Sequence, residues 1–292
     1  MTTRRMFVAG AAGLASSWAL APLARAQTRK TLRFGVGPLL PSADDTKKSF
    51  GPFFAWLAGQ LNADYELSAT TDWAGMAVAM GAGQLDLAWM GPWGYVIANN
   101  ATQCQALATV KYDDQPFYRG IIVGGPEIEV KRFPDDTKGK SISFADVGST
   151  SGWLIPTWYA KEVWKIDPKT FWQYTEGATH AANEVAVQSA QVDLATDFDR
   201  NRNAMIASHK IKPEGTKIVW TSDPLPNDAI VVPHGASADL VAQIQHILTA
   251  LTPQQAASLL PPRYTGFVTA THASYSVIEN AGIAVGKIRA KR

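Results

Sequence analysis

The sequence predicts an α/β fold made of two similar lobes, each with a mainly parallel sheet flanked by helices. Residues 31–90 read as alternating strands and amphipathic helices in β-α-β-α-β order, which is typical of parallel sheets covered on both faces. The run Gln84–Ala88 (Gln-Leu-Asp-Leu-Ala) then recurs 107 residues later as Gln191–Ala195 (Gln-Val-Asp-Leu-Ala). Because the surrounding strand–loop–helix order recurs as well, the repeat indicates a second unit of the same kind.

Each element of the first unit has its own pattern. The first helix is indicated by Phe50, Phe53 and Leu57, which fall at helical spacing and place an apolar face inward. The strands are indicated by short alternating or apolar runs. In chain order the predicted elements are a strand at 31–37, a loop at 38–45, the helix around residues 50–61, a strand at 65–69, a helix at 74–82 and a strand ending near residue 90.

The second unit repeats this order. The strand at 141–145 corresponds to the one at 32–36. The offset of 107 residues also places Trp73 on His180, and both stand just before a helix. We therefore expect these two residues at equivalent places in the two lobes.

Two segments connect the units. The apolar, glycine-containing run 118–125 predicts a first crossing, and 217–232 predicts the return. The predicted boundaries are therefore one lobe from residues 27–120 and 229–292, and a second lobe from residues 121–228.

The first 26 residues have the pattern of a signal peptide. Arg4 and Arg5 precede Phe7 and an apolar stretch that runs to Leu23, and Ala24-Arg-Ala26 provides a cleavage site. The paired arginines indicate a twin-arginine signal, and a plain Sec signal with two chance arginines is the alternative. The apolar segment is short and rich in small residues, so no stable membrane insertion is expected. This pattern predicts a periplasmic protein.

Charge and motif content exclude several classes of protein. Without the three arginines of residues 1–26, 24 basic residues stand against 25 acidic ones, so nothing indicates a nucleic-acid partner. The single cysteine excludes an internal disulfide. No His-Glu-x-x-His, Cys-x-x-Cys or P-loop motif occurs, so neither a metal nor a cofactor is predicted.

The run Ser149-Thr150-Ser151 is the strongest candidate for a binding site. It follows a predicted strand and a turn at Gly148, and it opens a predicted helix. Hydroxyls and unpaired backbone N–H groups at a helix N-terminus attract anions, although an ordinary helix cap has the same composition. Ligands of open α/β sheets bind beyond the carboxyl ends of the strands. Two facing lobes would therefore bring this run, Trp73 and His180 to one cleft suited to a small anion.

The chain resembles the phosphonate/phosphite-type periplasmic binding proteins of ABC importers over about residues 31–280. The resemblance is carried by Gly91-Pro-x-x-Tyr95-Val-x-Ala98, Ser149-Thr-Ser-Gly-x-Leu-x-Pro156, His180 with the segment around Asp193, and Trp220-x-Ser222-x-x-x-Pro226-x-Asp228. It implies a two-lobed type II binding-protein fold with the ligand in the cleft between lobes, and an ABC permease as partner. It also implies ligand contacts from Ser149, Thr150, Ser151 and His180, with Trp73 and Tyr118 lining the cleft and Asp228 at the distal side.

One position departs from the pattern of relatives that bind aminoethylphosphonate. Where those relatives carry a glutamate for the ligand's amine, this chain has Arg200. An inward arginine would repel an ammonium group and favour a carboxylate or further oxyanion charge. The alternatives are that Arg200 faces solvent or pairs with Asp197 or Asp199.

Two other functions are compatible with parts of the sequence. Ser149, His180 and Asp228 could be drawn as a hydrolytic triad, but the Gly-x-Ser-x-Gly elbow is missing because its central residue is Thr150. We therefore predict a binding protein and not an enzyme. An arsenite sensor that signals to a membrane histidine kinase is the second hypothesis. In that case Cys104 would supply a thiolate to the arsenic, whereas a buried cysteine in the core is the ordinary explanation.

Overall fold

The computed structural model describes residue 1 and residues 29–40, 42–70 and 72–290. The predicted signal peptide lies almost wholly outside these residues. Within them, thirteen strands form a six-stranded sheet, a five-stranded sheet and a two-stranded ribbon. The strands are β1 Thr31–Val36, β2 Asp64–Ala69, β3 Leu87–Met90, β4 Gln105–Tyr112, β5 Phe117–Tyr118, β6 Gly120–Gly124, β7 Ser141–Ala145, β8 Gln173–Ala178, β9 Leu194–Phe198, β10 Lys217–Thr221, β11 Leu225–Pro226, β12 Ala229–Val232 and β13 Tyr264–Thr269.

Helices cover both sheets. The α-helices are α1 Ala43–Gln60, α2 Trp73–Gly81, α3 Pro92–Thr102, α4 Ile155–Trp158, α5 Pro168–Phe171, α6 His180–Gln188, α7 Asp199–Ala207, α8 Ala238–Thr249, α9 Pro253–Leu259 and α10 Ser276–Ala284. Thr150–Leu154 and Tyr159–Val163, on either side of α4, are π-helical. Short 3-10 turns lie at Asp135–Thr137 and His272–Tyr275. No helix in the described ranges is both long enough and apolar enough to cross a membrane.

The predicted α/β fold is confirmed, but the sheets are mixed and not mainly parallel. Their strand orders are β13-β4-β12-β3-β1-β2 and β10-β6-β9-β7-β8. Only β2-β1-β3 and β8-β7-β9 pair in parallel. The connections that cross between the sheets explain why other pairs are antiparallel. Strands β6 and β12 both follow directly on the ribbon. Strand β6 begins near the end of β9, and strand β12 begins near the end of β3. They therefore run in the opposite direction and pair antiparallel.

The chain passes between the two sheets at the ribbon of β5 and β11. Tyr118 lies opposite Leu225, and Phe117 lies opposite Pro226. We call the part built on the six-stranded sheet the first lobe and the part built on the five-stranded sheet the second lobe. The boundaries predicted from the sequence lie close to this ribbon and stay a prediction at the level of single residues.

Aromatic side chains dominate the core on one face of the first sheet. The α1 helix begins at the cap of Ser42, whose side chain accepts a hydrogen bond from the Asp45 N–H group, and it buries an apolar face as predicted. The ring of Phe53 lies 5.7 Å from that of Trp89 and 5.3 Å from that of Phe267. This packing fixes β3, which ends at the cleft.

The strands direct six helix N-termini to the region between the lobes. Each of the parallel strands β1, β2 and β3 is followed by a helix, and so is each of β7, β8 and β9. Because parallel strands end at the same edge of a sheet, these helices all begin at that edge. The partial positive charges of the helix starts therefore gather where the two lobes meet.

Candidate oxyanion-binding site

Ser149 caps the helical segment 150–163 and fixes the geometry of the hydroxyl run. Its Oγ accepts a hydrogen bond from the Gly152 N–H group at 3.1 Å. Its carbonyl accepts one from the Leu154 N–H group at 3.1 Å, which is the spacing of a π-helix. Ser149, Thr150 and Ser151 are all buried. The sequence allowed an ordinary cap or an anion site, and the cap is present.

Pro156 accounts for an unusual bond in this helix. Proline has no N–H group, so the carbonyl four residues earlier, that of Gly152, loses its normal helical donor. Thr196 on β9 supplies one instead: its Oγ1 donates to the Gly152 carbonyl at 2.6 Å. The same Oγ1 accepts from the Ala145 N–H group at 3.0 Å. The helix start is thus held rigidly against β7 and β9.

His180 lies directly against the cap. It is the first residue of α6, where Thr179 is the N-cap, and its Nε2 lies 2.9 Å from Ser149 Oγ. A Cβ atom on Gly152 would come within 2.7 Å of His180 Cε1, so a residue without a side chain is needed there. The structure therefore brings His180 and the hydroxyl run together, as predicted.

Burial controls the charge of His180. Desolvation lowers the pKa of its imidazole to about 4, against the weaker opposing effect of the nearby Asp146 and Glu184 carboxylates. His180 is therefore neutral at pH 7 in this state. Its Nδ1 lies 3.1 Å from Asp197 Oδ1, although the angle is not that of a hydrogen bond. A proton on Nδ1 would leave Nε2 as the acceptor for the Ser149 hydroxyl.

A buried pair of carboxyl groups lies beneath His180. Burial raises the pKa of both Glu184 and Asp197. The Thr216 hydroxyl donates to Glu184 at 2.9 Å, and the Asn201 amide contacts both Asp197 oxygens at 3.0 Å. Two adjacent buried carboxyls cannot both ionise cheaply, so the pair holds a proton near neutral pH.

Trp73 forms the opposing wall on the first lobe. Its ring lies over Gly37 and Gly91, at the ends of β1 and β3, where an added Cβ would come within 2.4 and 2.9 Å of the indole. A Cβ on Gly148 would come within 2.9 Å of the Trp73 Cβ atom. Trp73 therefore reaches the turn just before the hydroxyl run.

One hydrogen bond joins the two lobes at the centre of the site. The Trp93 N–H group, near the N-terminus of α3, donates to Thr150 Oγ1 at 2.9 Å. Two helix N-termini from different lobes therefore meet at this hydroxyl.

Tyr118 and Asp228 complete the cleft at the ribbon. Burial raises the pKa of the Tyr118 phenol, and the nearby hydroxyls of Thr150 and Ser151 are among the groups that oppose this. Asp228 is buried and accepts a hydrogen bond from Trp89 Nε1 at 3.0 Å. Burial raises the pKa of Asp228, and the positive charge of Arg200 partly opposes this.

Arg200 takes neither of the alternatives left open by the sequence. Its guanidinium carbon lies 4.6 Å from the ring centre of Tyr112 and 4.9 Å from that of Tyr118. Its Nε and Nη1 atoms are buried and have no hydrogen-bond partner. The side chain therefore turns into the protein between the lobes, and it pairs with neither Asp197 nor Asp199.

Cys104 lies in the hydrophobic core. It follows α3, whose N-terminus is at the site and whose 11 residues span about 16 Å. The thiol is therefore at the far end of that helix from Thr150. The described residues contain no cluster of three histidine, cysteine, aspartate or glutamate side chains suited to a metal ion.

Three contributors were not expected from the sequence. They are Glu184, Tyr112, and Asp197 in its position beside His180. The repeat contains a usable signal, because the 107-residue offset places Glu184 on Ala77 and Asp197 on Met90. Charged residues at positions that are apolar in the other lobe indicate a local function.

Comparisons with known proteins identify the family of this chain. A profile of the family described as "ABC transporter, phosphonate, periplasmic substrate-binding protein" matches residues 39–275. The phosphonates-binding periplasmic protein of Escherichia coli is 29% identical over 216 residues, covering 73% of this chain and 63% of that protein. The phosphate-import protein PhnD of Mycolicibacterium smegmatis is 29% identical over 192 residues, covering 62% and 60%.

A solved structure shows the same fold. The PhnD1 protein of Prochlorococcus marinus in complex with methylphosphonate superposes with a TM-score of 0.77 at 18% identity, covering 89% of this chain and 99% of that one. The matches to the two curated relatives span about three fifths of the length of each. Because the family profile covers most of the chain, this protein belongs to the family of periplasmic substrate-binding proteins of phosphonate ABC transporters.

Proposed function

We propose that this protein captures a small phosphorus oxyanion, a phosphonate or phosphite, between its lobes in the periplasm and delivers it to the permease of an ABC importer. The observation that carries the proposal is the meeting of two helix N-termini at Thr150, with Ser149, Ser151 and His180 beside it. Hydroxyl and backbone N–H donors around one point suit a tetrahedral oxyanion.

Closure of the lobes follows from where the donors lie. Trp93 and Trp73 belong to the first lobe, whereas the hydroxyl run and His180 belong to the second. An oxyanion held by both sets favours the closed arrangement by its differential affinity for that state. A permease could then distinguish the loaded protein from the open one.

The names of the relatives support this ligand class. One is described as phosphonates-binding, another as a phosphate importer, and a third was solved with methylphosphonate. Phosphite and phosphonates share the charged PO₃ group, so the same donors would serve both. Inorganic phosphate is therefore tested together with phosphite and the phosphonates.

A hydrolytic function is not part of the proposal. The carboxylate beside His180 is Asp197 and not Asp228, which lies with Trp89 and near the charge of Arg200. In space, His180 lies between Ser149 and Asp197, as the histidine of a catalytic triad does. However, Ser149 Oγ serves as a buried helix cap, and the family is one of transport components.

Calorimetry with Thr150→Ala tests the proposal. The mature chain is titrated with methylphosphonate, phosphite, phosphate and sulfate. We expect micromolar or tighter binding of at least one phosphonate or phosphite. We expect about 10- to 100-fold weaker binding in Thr150→Ala, since a hydrogen bond to a charged ligand contributes about 1.5–3 kcal/mol.

Thr249→Ala is the matched control. Its hydroxyl bonds only to carbonyls of its own helix, α8, so its affinity should equal that of the wild type. Binding of none of the phosphorus oxyanions, or unchanged affinity in both Thr150→Ala and Ser149→Ala, would contradict the proposed function.

A further inference from the structure

We propose that the ligand carries a second anionic group, a carboxylate, which Arg200 binds at the end of the cleft away from the hydroxyl run. The ligand class is then a small phosphonocarboxylate. This inference rests on the proposed function, because it places the phosphonate end at Ser149–Ser151.

The first argument is the unpaired charge of Arg200. Its Nε and Nη1 are buried without a hydrogen-bond partner, and none of the ion pairs among the described residues involves it. A guanidinium group cannot lose its charge as a lysine can. Buried donor atoms without an acceptor are costly, so an anionic partner that arrives with the ligand would remove a real penalty.

The second argument is how Arg200 is held. Its guanidinium group lies against the rings of Tyr112 and Tyr118, with that of Phe198 at 5.8 Å. Such contacts use the faces of the group and stabilise its charge. They leave its N–H edges for a planar acceptor, and a carboxylate matches the spacing of that edge.

The third argument is position. Tyr118 lies between the two ends of the site: the hydroxyls of Thr150 and Ser151 are near enough to oppose the rise in the pKa of its phenol, while its ring centre lies 4.9 Å from the Arg200 guanidinium carbon. One aromatic side chain therefore spans the two ends. Phosphonoacetate and 3-phosphonopropionate are short ligands with a phosphonate at one end and a carboxylate at the other.

The carboxylate of Asp228 does not change the charge expected of the ligand's second group from negative to positive. It is the nearby carboxylate that could attract an ammonium, but its Oδ2 already accepts from Trp89 Nε1. At the Arg200 guanidinium group the unsatisfied atoms, Nε and Nη1, are donors. A ligand carboxylate would supply the acceptors that these two atoms lack.

The test compares ligands that differ only at the far end. Ethylphosphonate, phosphonoacetate and 2-aminoethylphosphonate are titrated into the mature wild type, Arg200→Gln and Arg263→Gln. Arg263 is the matched control: it also lies on the Tyr112 ring, at 4.9 Å, but it already pairs with Asp113 and is partly exposed. Circular dichroism checks that each variant is folded.

We expect the wild type to bind phosphonoacetate at least about tenfold more tightly than ethylphosphonate, and 2-aminoethylphosphonate most weakly, since a charge-assisted bond is gained in one case and repulsion in the other. Arg200→Gln should abolish this preference and leave ethylphosphonate within about threefold of the wild type. Arg263→Gln should behave as the wild type.

Two results would overturn the inference while leaving the proposed function intact. The first is wild-type affinity for ethylphosphonate equal to that for phosphonoacetate. The second is an equal loss for both ligands in Arg200→Gln, which would make Arg200 a latch between lobes through Tyr112. If no phosphonate binds to the wild type, the proposed function and this inference both fail.

Discussion

The two lobes place different chemistry on the same backbone positions. Trp73 and His180 are equivalent in the repeat, and each is the first residue of a nine-residue helix at the cleft. Four residues further along, Ala77 corresponds to Glu184, and Met90 corresponds to Asp197. The first lobe fills these positions with apolar side chains, whereas the second builds a chain of polar groups from the cleft into its interior.

This difference distinguishes the backbone features that both lobes share from the side chains that differ between them. In both lobes a glycine makes room for the side chain at the helix start: Gly37 and Gly91 under Trp73, and Gly152 beside His180. The repeated backbone therefore leaves space for one ring next to a glycine in each lobe, and we call this space the shelf. One ring presents an apolar wall, and the other presents a nitrogen to the hydroxyl run.

The largest effect is expected where the shelf itself is filled. An alanine Cβ at Gly152 would lie 2.4 Å from Ala145 Cβ and 2.7 Å from His180 Cε1, and Ala145 cannot yield easily because it is part of β7. Gly152→Ala should be less stable by about 1–3 kcal/mol. It should also bind methylphosphonate about 100-fold more weakly, since one or two charged hydrogen bonds are lost.

Gly94→Ala in α3 is the matched comparison, because its added Cβ would meet only the Trp73 carbonyl oxygen, at an ordinary contact distance of 3.5 Å. Calorimetry and urea unfolding measure both variants. A Gly152→Ala protein with wild-type affinity and stability would show that the second shelf is not needed.

An intermediate effect is expected from exchanging the rings themselves. His180→Phe keeps an aromatic ring on the shelf but removes the nitrogen 2.9 Å from Ser149 Oγ, so affinity for methylphosphonate should fall about 10- to 100-fold. Trp73→Phe keeps an apolar wall and should change the affinity by about threefold or less. Equal losses in the two variants would contradict the division of roles between the lobes.

The smallest effect concerns stability and not affinity. Burial raises the pKa of Glu184 and Asp197 in the folded protein, so the folded state holds a proton that the unfolded state has released near neutral pH. Stability from this pair is fully present at acidic pH and declines by up to about 1.4 kcal/mol per pH unit for one shared proton, until the pH has risen through the folded pKa values.

Glu184→Gln should flatten this decline. Urea unfolding of wild type and variant between pH 6.5 and 8.5 measures it. His180 contributes little in this range, because its lowered pKa costs stability only as pH falls below about 6.5. If the free energy of unfolding of Glu184→Gln declines with pH as steeply as that of the wild type, Glu184 does not hold the proton.

The sequence predicted the fold class through its repeat and its periodicity, and it placed Trp73, His180 and Ser149–Ser151 in one cleft. The mixed sheets were not predicted, because the direction of β6 and β12 depends on where the crossings enter and not on local pattern. The orientation of Arg200 was not predictable either. Asp197 and Asp199 are near it in sequence and offered plausible partners, whereas Tyr112 lies on β4 of the other lobe and becomes its neighbour only in the folded chain.

The bond from the Trp93 N–H group to Thr150 Oγ1 also affects which ligands are expected to bind between the lobes. This donor is occupied by a neutral hydroxyl when the lobes touch, so an incoming molecule has to compete with the protein's own acceptor. A neutral oxygen would exchange one ordinary hydrogen bond for another and gain little. A charged oxygen forms a bond about twice as strong, so we expect this contact to favour anions over uncharged solutes.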